Sequence, residues 1–542
     1  MSLPNTPFLT HHSLTINTLS PVHIGCGEDY EPTNYVMDEQ ALFYFNLPAV
    51  VDCFSAEDVR ELNAINNSRE PLLRIQNFFK LRKDLLIDKA EHMRPVSQEA
   101  HEKYQKAAGK AVNVEQSGKK VSNALEIART AFNPHNQQPI LPGSSIKGAI
   151  RTALLDLINK GKKTSYQAKE ERKLEADLFQ GSFASDPMRL IKVADASFNH
   201  HENALLPRVL FETNVKRNIN VAQKDSGQLS LMCEALPEFA AAAFAAQISV
   251  QDLQGKKSKK GQDNPSVCFS TTDIIQACNR FYWTIFRNEL DRFKKRGCLN
   301  ATWETHAYQL LELLKPFKEA NAGMILRIGR HSGAESITLD GVRDIKIMQG
   351  KGNKPRYQAS STTDWLAGDK EKSEANLMPF GWVFVDFNEP ELQSAREKLH
   401  QFLTDASQKR LQEQQQVFSG FAKRQQAAQA QRAALAEKQR QQEEARLAEE
   451  QAEQAKQQAL AVMSEEERSI ALIADRVASG QDKGVAGGVL ASDLAKLCEQ
   501  AASWSPELKQ KLLPVTKTAC AHLGIDIKGN KKWKPRIKGL EE

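Results

Sequence analysis

The sequence predicts an α+β protein that continues into a helical C-terminal extension, and three observations carry that prediction. Short segments alternating apolar and polar residues are interleaved with helical periodicity as far as about residue 388. Residues 390–468 are dominated by Gln, Ala, Glu, Lys and Arg, with Gly420 the one glycine, which is the composition of a long helix. Beyond residue 469, apolar positions recur at helical spacing. A chain of 542 residues exceeds what one core organises, so about two to four structural units are expected.

Composition narrows the function classes. Mean hydropathy is −0.51, and no run of about 18 apolar residues is present, so no membrane span is expected. Residues Met1 to Thr10 lack the basic region and apolar core of a secretion signal, which predicts a cytoplasmic location. The eight cysteines are scattered without a Cys-x-x-Cys pair, which argues against a zinc ribbon or a disulfide framework. They read as reduced thiols, and nothing in the pattern requires a metal or a cofactor. The net charge of +6 is only mildly basic, so the placement of the cations matters more than their sum.

Taken in order, Leu14, Ile16 and Thr18 alternate with Thr15, Asn17 and Leu19 as a first strand. In the Pro21–Tyr30 segment that follows, Gly25-x-Gly27 would let a ligand approach the backbone, although a plain turn has the same signature. His23 beside it is a candidate general base, but no titratable partner stands near it in sequence, which favours a structural histidine. Residues 56–128 read as mostly helical, with Leu73, Phe78 and Phe79 among the core positions and a polar loop over 103–120.

The central stretch is Leu141-Pro142-Gly143-Ser144-Ser145-Ile146-Lys147-Gly148-Ala149-Ile150-Arg151. Pro142-Gly143 is a turn dipeptide, Ser144 a good N-cap, and Ile146, Ile150, Ala153 and Leu157 recur along one helical face. Ser144, Lys147 and Arg151 share another stripe. A lysine in a first helical turn opposes the macrodipole unless an anion binds there. Backbone N–H groups at the helix start with two cations alongside form a phosphate site; an ordinary capped surface helix has the same spacing.

Further on, Asp186–Asp195 alternates like a strand with Arg189 and Lys192 on opposite faces, and Ala246–Val250 is another strand. Lys256, Lys257, Lys259 and Lys260 crowd into a loop that is either a solvated tip or an RNA contact. Helices are expected over Asp273–Lys295 and Trp303–Phe317. A second candidate site is Ile325–Ser336, a short strand entering a glycine loop that carries Arg327, Gly329, Arg330 and His331. Guanidinium groups beside exposed backbone suit phosphate, and a surface loop with ordinary cations is the alternative. Met378–Val385 reads as a turn into a last strand.

The wording of the central stretch resembles the signature of the RAMP superfamily, the repeat-associated RNA-binding proteins of CRISPR systems. Gly25-Cys26-Gly27, Asp186-Pro187-Met188-Arg189, Leu326–Ser336 and Met378–Val385 are similar, in order, to one subgroup, the fifth Csm subunit of type III-A effector complexes. The resemblance covers about residues 10 to 388. It implies two ferredoxin-like, RRM-like halves with helical insertions, divided as 1–230 and 231–389. After them come a long charged helix over 390–468 and a small helical domain with a basic tail over 469–542. It also implies a non-enzymatic subunit that binds CRISPR guide RNA, caps the 3′ end of the guide-bound subunit filament, and supports guide maturation. The partners would be guide RNA, other effector subunits and a separate nuclease for 3′ trimming. The RNA-binding residues would be Gly25, Gly27, Gly143, Ser144, Ser145, Lys147, Arg151, Arg327, Gly329, Arg330 and His331. Rival readings are a RAMP endoribonuclease using His23 or His331, and a helical scaffold recruiting a partner. In the tail, Trp533 among Lys528, Lys531, Lys532, Lys534, Arg536 and Lys538 is either a base-stacking platform or part of a disordered end.

Overall fold

The computed structural model describes residues 8–68, 70–114, 120–122, 125–162, 171–180, 183–201, 203–218, 231–251, 265–349 and 352–542. The lysine run at 256–260 lies outside the described residues. The chain divides into two compact units, Met1–Gln425 and Gln426–Glu542.

The first unit is α+β, and its two largest sheets organise it. One runs in the order Gly323–Arg327, Trp382–Asp386, Leu9–Thr18, Phe244–Gln251, Ala196–Phe198, Ile140–Leu141, with Ile191–Val193 also on Phe244–Gln251, and every pairing is antiparallel. The first strand therefore lies between strands from far along the chain, Ile16 facing Phe244 on one side and Val385 on the other. The second sheet runs Met378–Pro379, Thr363–Gly368, Arg208–Lys216, Leu231–Ala235, Ile127–Thr130, Gly25–Tyr30, and its pairings are antiparallel except Leu231–Ala235 with Ile127–Thr130.

Two helices share the core of the first sheet. Thr271–Arg296 starts at a reciprocal Ser270–Asp273 capping box and ends at Gly297 in the left-handed region, with Lys294, Lys295 and Arg296 in its last turn. Ile274, Cys278, Phe281, Ile285 and Phe293 are among its buried residues. Gly143–Asn159 buries Ile146, Ile150, Ala153 and Leu154 into the same core. The Trp303–Phe317 prediction resolves into Ala301–Leu313 and a short second helix, Lys315–Glu319.

Two local readings are corrected. The 103–120 region is not simply loop: Gln98–Ala107 is a helix that buries Ala100 and Tyr104, and Ala111–Val114 pairs with Lys120–Ser122. The Asp186–Asp195 strand shortens to Ile191–Val193, because Pro187 removes a ladder donor and Asp186 accepts from the Met188 N–H to start a 3-10 turn over Pro187–Leu190.

The long helix spans Gln393–Val462. Its N-terminal part, as far as Gln425, belongs to the first unit, and Leu399 and Leu403 enter the main core. Arg396 pairs with Asp386 at 2.6 Å and Arg410 with Glu238 at 3.2 Å. The Gln414 amide accepts from the Leu206 N–H and donates to the Ala204 carbonyl, and Phe421 packs on Phe43. In the second unit the helices Glu465–Ala478, Val489–Gln500, Pro506–His522 and Trp533–Glu541 enclose their own core of Leu490, Leu494, Leu512 and Cys520. Trp533 is 6% exposed within that core, so it is not a stacking platform. Ile537 and Leu540, one and two turns on, are buried with it on the same helical face.

Candidate nucleic-acid interface

Gly25 and Gly27 are not in a free loop. They lie in Gly25–Tyr30, the edge strand of the second sheet, whose register on Ile127–Thr130 shifts between Gly25 and Asp29. The shift and the positive φ of Gly27 (83°) leave Gly25, Cys26, Gly27 and Glu28 exposed. Behind this edge Arg129 is buried, its guanidinium 3.7 Å from the Phe132 ring centroid and 4.7 Å from that of Tyr30, and it donates to Gln137. Glu234 ties the layer together: it accepts from the Tyr30 hydroxyl, from Arg94 and from the Thr130 N–H. Burial, with Glu234 alongside, holds the Tyr30 hydroxyl well above its ordinary pKa.

The Arg327–His331 loop meets this edge through His23. The His23 carbonyl accepts from the Arg330 N–H at 2.8 Å. Gly329, at φ 81°, lies so close to the same carbonyl that a Cβ would overlap it. The His23 ring is fully buried, with Nδ1 2.7 Å from the Glu234 carbonyl, and burial lowers its pKa, so the ring is neutral and structural. Ile328 and Gly381 complete the junction, Ile328 N–H donating to the Gly381 carbonyl and Gly381 N–H to that of Pro21.

The central helix is joined to both. Ala131 N–H donates to the Ile24 carbonyl and Ile140 N–H to that of Ala131, so a two-step ladder leads from the glycine edge to the turn that opens the helix. From the other side the Tyr282 hydroxyl lies 3.0 Å from the Ala149 carbonyl and 3.3 Å from that of Ser336, bridging the helix to the segment after Gly333.

Within this frame the candidate residues separate. Ser144 is not the N-cap: Pro142 precedes the helix, Ser144 is exposed in its first turn, and the Asp195 carboxylate accepts from the Gly143 N–H at 2.7 Å. An internal anion thus occupies part of the helix start. Gly143 itself is required, because a Cβ there would strike the Val193 carbonyl. Arg151 is not a free cation; it pairs with Glu175 at 2.7 Å and Asp186 at 2.8 Å. Lys147 differs, having no carboxylate within salt-bridge distance among the described residues. Its pKa is lowered by burial and then by Lys192, which is exposed on the adjoining strand. Ser145 is half-buried beside it. Arg189 donates to the Ala184 carbonyl, whereas Lys192 is exposed on its strand and near enough to lower the Lys147 pKa.

Arg327 is removed from the surface. Its side chain is 2% exposed, paired with Glu289 and donating to the Phe380 and His331 carbonyls, so it shapes the loop from within. Arg330 is exposed, its side chain at 42%, and lies 3.3 Å from the enclosed Glu212 carboxylate. His331 Nε2 is 2.9 Å from the same carboxylate, and its ring stacks on Trp365. Burial alone would raise the Glu212 pKa, but His331 and then Arg330 outweigh it and hold the carboxyl below its ordinary value. Sequence reasoning missed Glu212 and Glu234; the available signal was a carboxylate inside each of two apolar strands, Arg208–Lys216 and Leu231–Ala235. Among the described residues no group of His, Cys, Asp and Glu could hold a metal, and no helix is long and apolar enough to cross a membrane.

No curated protein sequence matches the chain. Similar solved structures include a chain of a Csm–crRNA–target RNA ternary complex of a type III-A CRISPR-Cas system, at 15% identity over 70% of this chain and 100% of that chain with a TM-score of 0.39. Csm5 of T. onnurineus aligns at 18% identity over 69% of this chain and 99% of that chain, with a TM-score of 0.41. A family model describing the RAMP superfamily matches residues 15–333, the span that contains the edge strand, the central helix and the Arg327–Gly333 loop, and the chain belongs to that superfamily.

Proposed function

We propose that this chain is the guide-RNA-binding subunit at the 3′ end of a type III-A CRISPR effector filament. In this reading it contacts the 3′ portion of the guide, adjoins other effector subunits and supports maturation by presenting the guide end to a separate trimming nuclease. The observation that carries the reading is the convergence of three sequence-distant elements: the Gly25–Gly27 edge, the start of the central helix and the Gly329–His331 loop are linked by hydrogen bonds into one frame. A ribose-phosphate strand along this frame meets exposed backbone at Gly25–Gly27 and cations at Lys147, Lys192 and Arg330. Such contacts go to phosphates and 2′-hydroxyls, so binding is sequence-tolerant and weakens with salt.

Sequencing the RNA that co-purifies with the protein tests the reading directly: the 3′ ends should derive from CRISPR repeats or spacers, and an unrelated RNA population would sink it. Lys147→Ala with Lys192→Ala should weaken guide binding and reduce the salt slope by about 0.7 for each phosphate no longer neutralised. An endoribonuclease reading through His23 has less support, because the ring is fully buried and its Nδ1 lies 2.7 Å from the Glu234 carbonyl. Cleavage of a guide precursor by the purified protein, abolished by His23→Ala, would restore it.

A further inference from the structure

The basic tail singled out by the sequence belongs to the second unit, and its geometry gives it a use of its own. From Lys528 to Lys538 the chain carries six cations and no carboxylate. Elsewhere in the second unit cations are commonly paired: Lys456 with Asp475, Arg476 with Asp493, Lys511 with Glu467, and Lys517 with Glu541. Within the tail, Arg536 pairs with Glu499 at 2.6 Å and Lys538 with Glu542 at 3.6 Å. Lys528, Lys531, Lys532 and Lys534 are exposed and have no salt-bridge partner among the described residues.

These four lysines project from an ordered turn. The Asp526 carboxylate accepts from the Lys528 N–H, and the Asp526 carbonyl from the Asn530 N–H. The Asn530 side chain accepts from the N–H groups of Lys532 and Trp533. Trp533, Ile537 and Leu540, each at most 6% exposed, root the following helix in the bundle. Three of the lysines flank the first turn of that helix, where the macrodipole already disfavours positive charge. A ligand that offsets both the dipole and four cations must be polyanionic. The spacing favours an extended polyanion over a single small anion, since the lysines are spread along a turn and not gathered around one cavity.

Resting on the RNA-binding reading proposed above for the identity of the polyanion, we infer that the Lys528–Lys534 turn is a second, sequence-independent contact for the phosphate backbone of single-stranded RNA. Its recognition is purely electrostatic, because the one aromatic ring in the segment is inside the core and cannot stack on a base. The same burial argues against a lipid surface as the ligand: a peripheral membrane contact combines cations with exposed apolar side chains, and no large apolar residue of 526–538 is exposed. Because the turn is held by backbone and side-chain hydrogen bonds, little backbone order has to be imposed on binding.

The test uses the full chain and a uridine homopolymer, which offers phosphates without base readout, with affinity measured by fluorescence anisotropy across a salt series. Replacing Lys528, Lys531, Lys532 and Lys534 with Ala should lower the salt slope by up to about 2.8, at about 0.7 per phosphate neutralised, so that the contribution removed is one that falls about 50-fold between 50 and 200 mM salt. The melting of the second unit should not change, since all four side chains are solvent-facing. A Lys147→Ala chain measured in parallel separates the two sites: an effect of the tail variant without one of Lys147→Ala supports the tail contact and counts against the interface proposed above, and the reverse overturns the tail contact alone. An unchanged slope in the tail variant also overturns it, as does lysine-dependent binding to anionic phospholipid vesicles with RNA affinity untouched.

Discussion

Gly329→Ala is the sharpest probe of how the interface is assembled, because it has a built-in reference. Gly329 and Gly27 have nearly the same backbone conformation, φ 81° and 83°, but a Cβ on Gly27 would meet nothing within 4 Å, whereas one on Gly329 would overlap the His23 carbonyl. Alanine at either position incurs the left-handed cost of about 1 kcal/mol. At Gly329 the obstruction is backbone, so no rotamer relieves it and the loop must lift away. That movement breaks the bond from the Arg330 N–H to the His23 carbonyl, and His23 is fully buried. Losing such a bond, with its acceptor left unsatisfied, costs about 1–3 kcal/mol. Gly329→Ala should therefore destabilise the first unit by about 2–4 kcal/mol and Gly27→Ala by about 1 kcal/mol. Equilibrium urea unfolding followed by tryptophan fluorescence reads the difference, since Trp283, Trp303 and Trp382 are buried in the first unit's core. The folded Gly329→Ala protein should also bind RNA more weakly, as Arg330 is displaced. Equal stability losses for the two variants, within about 0.5 kcal/mol, would refute the close approach as an organising contact.

Other expectations follow from the buried charges and the long helix. Arg327→Ala removes the nearest counter-charge of the buried Glu289, leaving it the Trp382 indole N–H and Arg292 at 3.6 Å, and should cost about 2–4 kcal/mol in urea unfolding. Burial opposes ionisation of Glu335, but Arg217 prevails and holds its pKa at about 2 against an ordinary 4.5. The stability this contributes is present above pH 4.5 and lost as pH falls towards 2. Arg217→Met should flatten that acid limb in unfolding measured at a series of pH values. A chain ending at Gln425 should stay soluble with a cooperative melt, whereas one ending at Asn388 removes Leu399 and Leu403 from the main core and should aggregate on expression. Gln414→Ala leaves the Leu206 N–H and the Ala204 carbonyl without their partner and should cost about 1–3 kcal/mol, seen in the same unfolding assay.

What the sequence made legible was local. The helix over Thr271–Arg296 announces itself through Ser270 and Asp273 three residues apart, apolar residues on each turn, and Gly297 at its end, all within one stretch. Burial of Trp533 was legible on the same terms, since Ile537 and Leu540 complete an apolar helical face with it, although the surrounding lysines give the segment the composition of a stacking surface as well. The anion at the start of the central helix was not legible: Asp195, which accepts from the Gly143 N–H, lies between two later strands that only folding brings there. Ser144 is the best capping residue within the local sequence, yet it is Asp195 that binds the first N–H of the helix.

The same limit explains why two arginines three residues apart in one loop have opposite fates. Alternation along Gly323–Arg327 sets Arg327 on the same side as Ile325, which would be an outward face if the strand had only one covered side. Every residue of the strand is buried, so both sides are covered, and Arg327 must find its counter-charge inside, at Glu289 of the Thr271–Arg296 helix. Arg330 lies past the turn that Gly329 makes against His23, and the carboxylate it reaches, Glu212, belongs to the neighbouring sheet. Arg330 lies 3.3 Å from Glu212 while 42% of its side chain stays exposed, so on the proposed reading its guanidinium engages phosphate as well. On that argument Glu212→Gln should loosen the loop while leaving a positive Arg330 at the surface. RNA affinity should then fall through reduced order and the salt slope should be retained, which separates positioning from charge in one titration.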